Sequence, residues 1–256
     1  MLLKLLKYDF RAMWKQFSLV WGAALALALV NRFTVFRDAA SNVTSNSELF
    51  MFAFMAVIMA MLVLAVIFVV NRFSKGLLGS EGYLMHTLPV RPWELVASKL
   101  ICGAVTWIGC GVVAVVSVFV MTPINWAELI QFPFWGELFR GIVKHPDAIV
   151  LVLEFCLLIL STTVQSIAMI YLALAAGHLF SRHRRLISVA AFIGLYILIF
   201  NIYGRVFSVR FIQRLMNIAT VNVYGSLLTA SAIMLIPAAA FLVVVCWILE
   251  HKLNLE

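Results

Sequence analysis

The chain has 256 residues, 64% of them hydrophobic and 12% charged, and a formal net charge of +8. Soluble domains keep roughly half their residues apolar and about a quarter charged, so this composition excludes an ordinary water-soluble fold and predicts an integral membrane protein. Its basic residues flank apolar runs, which is the pattern of membrane orientation, and no nucleic-acid partner is expected.

The first 16 residues predict an element of their own. At about 100° per residue, Lys4, Lys7, Arg11 and Lys15 share one narrow arc, while Leu2, Leu6, Phe10, Met13, Trp14 and Phe17 spread over the opposite face. This segregation favours an amphipathic helix lying in the membrane interface over a simple charged flank that anchors the first span. No small-residue cleavage site follows a short apolar core, so a removable signal peptide is not expected.

Six apolar runs follow, over 17–36, 49–70, 96–122, 147–177, 186–204 and 223–249. A helix needs about 20 residues to cross a hydrocarbon core of roughly 30 Å, whereas barrel strands alternate over about 10. The runs are helical in length. The expected fold is therefore an all-α integral membrane protein, with six transmembrane helices in one domain over 1–256.

Six spans put both termini on one side. If that side is the cytoplasm, 12 of the 19 Lys and Arg residues flank it and 7 flank the other face, the direction the positive-inside rule requires. The expected location is a plasma membrane, multi-pass, with cytoplasmic termini.

The connections differ in character. Between spans 1 and 2 the chain is short and polar, and its Asn42-Val43-Thr44 matters as a glycosylation sequon only in a cell that uses one. Between spans 3 and 4, Trp126 and Trp135 with Phe132 and Phe134 around Pro133 predict a segment at the headgroup boundary. Between spans 5 and 6, residues 205–222 place Arg205, Arg210 and Arg214 among apolar residues, which predicts an amphipathic or re-entrant hairpin. Pro146 marks the start of span 4 and Gly177 its end, while Pro237 predicts a kink in span 6.

Polar residues inside the spans are few. Glu154 is the one intramembrane carboxylate, and Ser161, Thr162, Thr163, Gln165 and Ser166 lie further along the same helix. Glu154, Ser161, Thr162 and Gln165 are candidates for a translocation path; partners across helix interfaces are the competing use of the same groups. Gly103, Gly109 and Gly111 predict close helix approach in span 3. Cys102, Cys110, Cys156 and Cys246 all sit in apolar runs and have no metal-ligand spacing. His178 and His183, in GHLFSRHRRL, are five residues apart and do not share a helical face, so no metal is expected there. SKGLLGSEG lacks the GxxxxGK[ST] pattern, and no hydrolase motif is visible, so the chain is not expected to be an enzyme or to hold a cofactor.

The segment 71–95 is the most specific part of the sequence. Glu81-Gly82, Leu84, Pro89-Val90, Leu95 and Lys99 resemble the linker between spans 2 and 3 in the type 2 permease family of ATP-binding-cassette (ABC) exporters. The resemblance implies a cytoplasmic coupling helix that docks on a separate ATPase subunit. Tyr83, Leu84, Met85 and Leu88 would supply its apolar contacts, and Glu81 and His86 its polar ones. Local chemistry agrees: Pro89 ends a short helix, and Pro92 with Glu94 favours the first turn of span 3. A bare turn would not need four apolar side chains in water.

The family reading implies a permease that pairs with a second permease and two ATP-binding subunits, with ATP and Mg held by those partners. Its cargo would be amphipathic or hydrophobic; EGYLMHTLPV is most similar to Gram-positive permeases of antimicrobial-peptide export or immunity. The competing expectations are a stand-alone secondary transporter or channel, and a non-transporting membrane scaffold or sensor subunit.

Overall fold

The computed structural model describes the backbone of residues 2–41, 45–78, 92–121, 146–180, 183–206 and 223–251, and the side chains of 6–33, 51–77, 93–121, 149–180, 183–205 and 227–251. All regular structure among the described residues is helical: α1 (Leu2–Ser41), α2 (Ser45–Phe73) with a π-helical turn at Ser74–Leu78, α3 (Pro92–Met121), α4 (Pro146–His178), α5 (Arg184–Val206) and α6 (Val223–His251). Each of the six α-helices is long and apolar enough to cross a membrane. The chain is a multi-pass membrane protein, as the composition predicts.

Several bounds differ from those expected. α1 is one helix from Leu2 to Ser41, so no backbone break separates residues 2–16 from the first span. α2 runs to Phe73 and continues into the π turn, past the polar pair Asn71 and Arg72 where hydropathy alone ends the run at 70. The reason is packing, since Phe73 and Leu77 are fully buried one helical turn apart. α3 starts at Pro92 with Glu94 in its first turn, and α4 starts at Pro146. Proline suits that position because the first helical N–H has no partner within the helix. α6 passes through Pro237 as one helix. Residues 122–145 and 207–222, with the aromatic surface segment and most of the amphipathic hairpin, lie outside the described residues, as does the Asn42 sequon.

The chain divides into two compact units, one built from Leu3–Val69 and Ile101–Lys144, the other from Val70–Leu100 and His145–Glu256. In the first unit, Met13 and Phe17 of α1 pack with Met61, Ala65 and Phe68 of α2 and with Cys102 and Cys110 of α3. Phe17 meets Phe68 edge to face, with ring centroids 5.3 Å apart, the geometry the aromatic quadrupole prefers. Trp21 donates its indole N–H to Cys110 Sγ at 3.4 Å. Its ring covers Gly109, where a Cβ would fall 2.7 Å from Cζ2. Gly109 is thus a close-approach glycine, whereas a Cβ on Gly111 would meet nothing within 4 Å. Arg32 Nη1 donates to Val120 O at 3.1 Å, placing a cation on one of the carbonyls that the end of α3 leaves without a helical partner.

In the second unit, α4 packs along both α5 and α6 and touches the π turn. The α4–α5 connection is tight. Leu179 N–H donates to Ala176 O at 3.2 Å, and His183 takes a left-handed φ of 63° while its carbonyl accepts from Ile187 N–H at 3.2 Å. Gly177 lies against the start of α5, where a Cβ would collide with Ser188 Oγ and come within 2.9 Å of Arg184 O. The glycine that predicts a helix end is therefore also a packing glycine, one residue before α4 stops.

Candidate functional site

The coupling residues Glu81, Tyr83, Leu84, Met85, His86, Leu88 and Pro89 lie outside the described residues. Their two flanks are described, and both belong to the second unit. On one flank the π turn follows α2, and π-helical turns recur at functional positions in other helices. Phe73, just before it, stacks on Tyr171 of α4 with centroids 4.1 Å apart and planes 13° from parallel. Both rings are fully buried. On the other flank, Leu95, Val96, Ser98 and Lys99 of α3 are buried, and Ser98 Oγ–H is satisfied by Leu95 O at 2.9 Å.

Lys99 links the flanks. A Cβ built on Gly76 would lie 3.5 Å from Lys99 Cε, so the stem of this lysine runs over the bare face of the π turn, an amphipathic use of its methylenes. Lys99 is only 4% exposed. Sequence reasoning counts it as a flanking positive charge and as the last residue of the linker pattern; the structure buries it in the packed base from which segment 79–91 departs and to which it returns.

A second constellation runs down α4. Glu154, Ser161 and Gln165 are separated by seven and four residues, which places them on one helical stripe. All three are buried, while Leu151, Val152, Leu153 and Phe155 around Glu154 are exposed. Glu154 is thus turned inward. Ser161 Oγ–H donates to Leu158 O at 2.9 Å, and Gln165 Oε1 accepts from Tyr203 O–H of α5 at 2.5 Å. Thr162 lies off this stripe, is half-buried, and donates to Ile159 O at 2.9 Å. Thr163 and Ser166 likewise donate to carbonyls four residues back, at 2.7 and 2.8 Å.

The candidates therefore divide. Gln165 serves a helix–helix bond, the use that competes with a translocation path, and the hydroxyls are spent within α4. Glu154 keeps Oε2 buried, with no hydrogen-bond partner among the described residues. Tyr203, Tyr171 and Phe73 escape a reading by motif. Aromatic residues in apolar runs are so common that only the partner on another helix singles them out.

Compared with protein-family models, curated proteins and solved structures, the chain has no match.

Proposed function

We propose that the chain is the membrane-spanning permease subunit of an ATP-driven ABC exporter, paired with a second permease and two ATP-binding subunits in a bacterial plasma membrane, with both termini cytoplasmic. The observation that carries this reading is the Glu81-Gly82, Leu84, Pro89-Val90, Leu95, Lys99 pattern between the second and third of six apolar helices. Two features support it. The flanks of that segment belong to one compact unit with α4, and Phe73 joins the π turn's base to Tyr171. A force applied to residues 79–91 by closing ATPases has a packed route into the membrane helices. Such closure rocks spans between inward-facing and outward-facing states, and the apolar spans suit an amphipathic or hydrophobic cargo of the antimicrobial-peptide kind.

The test is purification of the full-length chain from its own cells. A nucleotide-binding subunit with ATPase activity is expected to accompany it and to be lost from the double variant Leu84→Asp, Met85→Asp. A double variant that keeps its ATPase in full sinks the docking assignment. Glu154 favours a second reading, a stand-alone secondary transporter, because such proteins place ionisable groups within their spans. Transport by the purified chain in proteoliposomes without any ATPase would establish that reading instead.

A further inference from the structure

One face of α1 changes character along its length. Lys7, Arg11 and Lys15 follow one another every four residues, and Ser18, Gly22, Leu29 and Phe33 continue the same row; at about 100° per residue all seven fall within roughly 80° of arc. Every one of them is exposed. A Cβ on Gly22 would meet nothing within 4 Å, so the row is open below its basic end. Met13, Phe17, Ala24 and Ala28 are buried on the other side of the helix. Asp9, the one acid among the first 37 residues, is buried on that side too, so it does not stand among the three cations.

Two aromatic rings mark the depth of this row. Trp14 and Tyr8 are exposed at the two edges of its basic part, and Trp14 is braced edge to face by Trp21, with centroids 6.1 Å apart. Such rings sit at headgroup level, which sets Arg11 and Lys15 beside phosphates and runs Ser18 and Gly22 down among acyl chains. Whatever covers the row must therefore be anionic at one end and apolar at the other. A second copy of this chain, docked through the same face, would bring two sets of cations together. An acidic soluble protein would match the charge and leave the open row inside the membrane uncovered.

We propose that this face of α1 is a binding site for an anionic phospholipid in the leaflet that holds the N-terminus. Arg11 and Lys15, about 6 Å apart along the axis, are helix-surface neighbours able to share one phosphate, and both donate to its oxygens. Lys7, a turn further from the hydrocarbon, adds attraction. The acyl chains run over Ser18 and Gly22. A choline headgroup would put a fourth cation into the row, so net negative charge is what the site selects. This inference goes beyond the exporter reading and does not depend on it.

The experiment reconstitutes the full-length chain in phosphatidylcholine bilayers in which a rising share of the lipid is replaced by brominated phosphatidylglycerol or, in parallel, by brominated phosphatidylcholine. Bromine quenches nearby tryptophan, and the Trp14 signal is the difference between wild type and Trp14→Phe. Phosphatidylglycerol is expected to quench Trp14 at a lower share of the lipid than phosphatidylcholine. Arg11→Gln and Lys15→Gln should each cut that preference about fivefold, the scale of one basic residue at an anionic surface, while Arg11→Lys should keep most of it. High salt should weaken the wild-type preference as it screens the row; this arm needs no variant and decides should the Gln variants not fold. Equal quenching of wild-type Trp14 by the two lipids, or a full preference in the double variant Arg11→Gln, Lys15→Gln, overturns the site. A double variant that keeps its lipid preference and loses a co-purifying protein gives the row to that protein, and the proposal falls.

Discussion

Phe73 and Tyr171, 98 positions apart in the chain, stack face to face at 4.1 Å and exclude solvent completely. The stack ties the last residue of α2 to α4 immediately before the π turn that leads into segment 79–91. Replacing either ring by Ala leaves a cavity that rigid helices cannot close, at a cost of about 3–5 kcal/mol. Phe73→Ala and Tyr171→Ala are each expected to lower the thermal midpoint of the detergent-solubilised protein, and the double variant to cost less than the two singles together. Additive losses would show that the rings do not act as a pair.

Trp21 and Gly109 give a steric prediction with a built-in rescue. A methyl at 109 would overlap the indole at 2.7–2.8 Å, so Gly109→Ala should destabilise by about 1–3 kcal/mol through overpacking. Shrinking the ring relieves the clash, and Trp21→Phe should therefore harm the Gly109→Ala background less than the wild type. The cycle is measured by unfolding in increasing denaturing detergent. A Gly109→Ala variant as stable as wild type would mean that the helices have room to separate.

Much of the architecture follows from hydropathy, because a run of about 20 apolar residues has few alternatives to a spanning helix. The sequence is weaker where packing decides. The end of α2 lies beyond Asn71 and Arg72 because Phe73 and Leu77 are buried, and hydropathy does not see that. Ser161 and Thr162 are neighbours of similar polarity, yet only Ser161 shares the stripe with Glu154 and Gln165. Period alone separates these two, but which arc faces inward needs the helices around it. Tyr203 as the partner of Gln165 is a relation between helices and leaves no mark on either segment.

The cysteines report on the same burial. Cys156 is exposed on α4, whereas Cys102 and Cys110 are fully buried. In the detergent-solubilised protein a membrane-permeant maleimide should modify Cys156 faster than Cys102 and Cys110: the thiolate that reacts forms slowly in the apolar surroundings of α4, but reaction at the packed pair must also wait for opening of the unit. Mass spectrometry of the digested protein assigns each site. Labelling of Cys110 at the rate of Cys156 would contradict the packing of Trp21 on α3.

Gly177 tests the tightest connection, and here the expected rescue fails. A Cβ would collide with Ser188 Oγ and also lie within 2.9 Å of the backbone oxygen of Arg184. The first obstacle is a side chain, which Ser188→Ala shortens. The second is backbone at the first residue of α5, held in place by the left-handed turn at His183. Gly177→Ala should thus destabilise by about 1–3 kcal/mol, and adding Ser188→Ala should recover only part of the loss. The readout is the thermal midpoint of the purified protein. Full recovery in the double variant would place the whole conflict on the serine and show that the turn yields; no recovery would place it on the backbone alone.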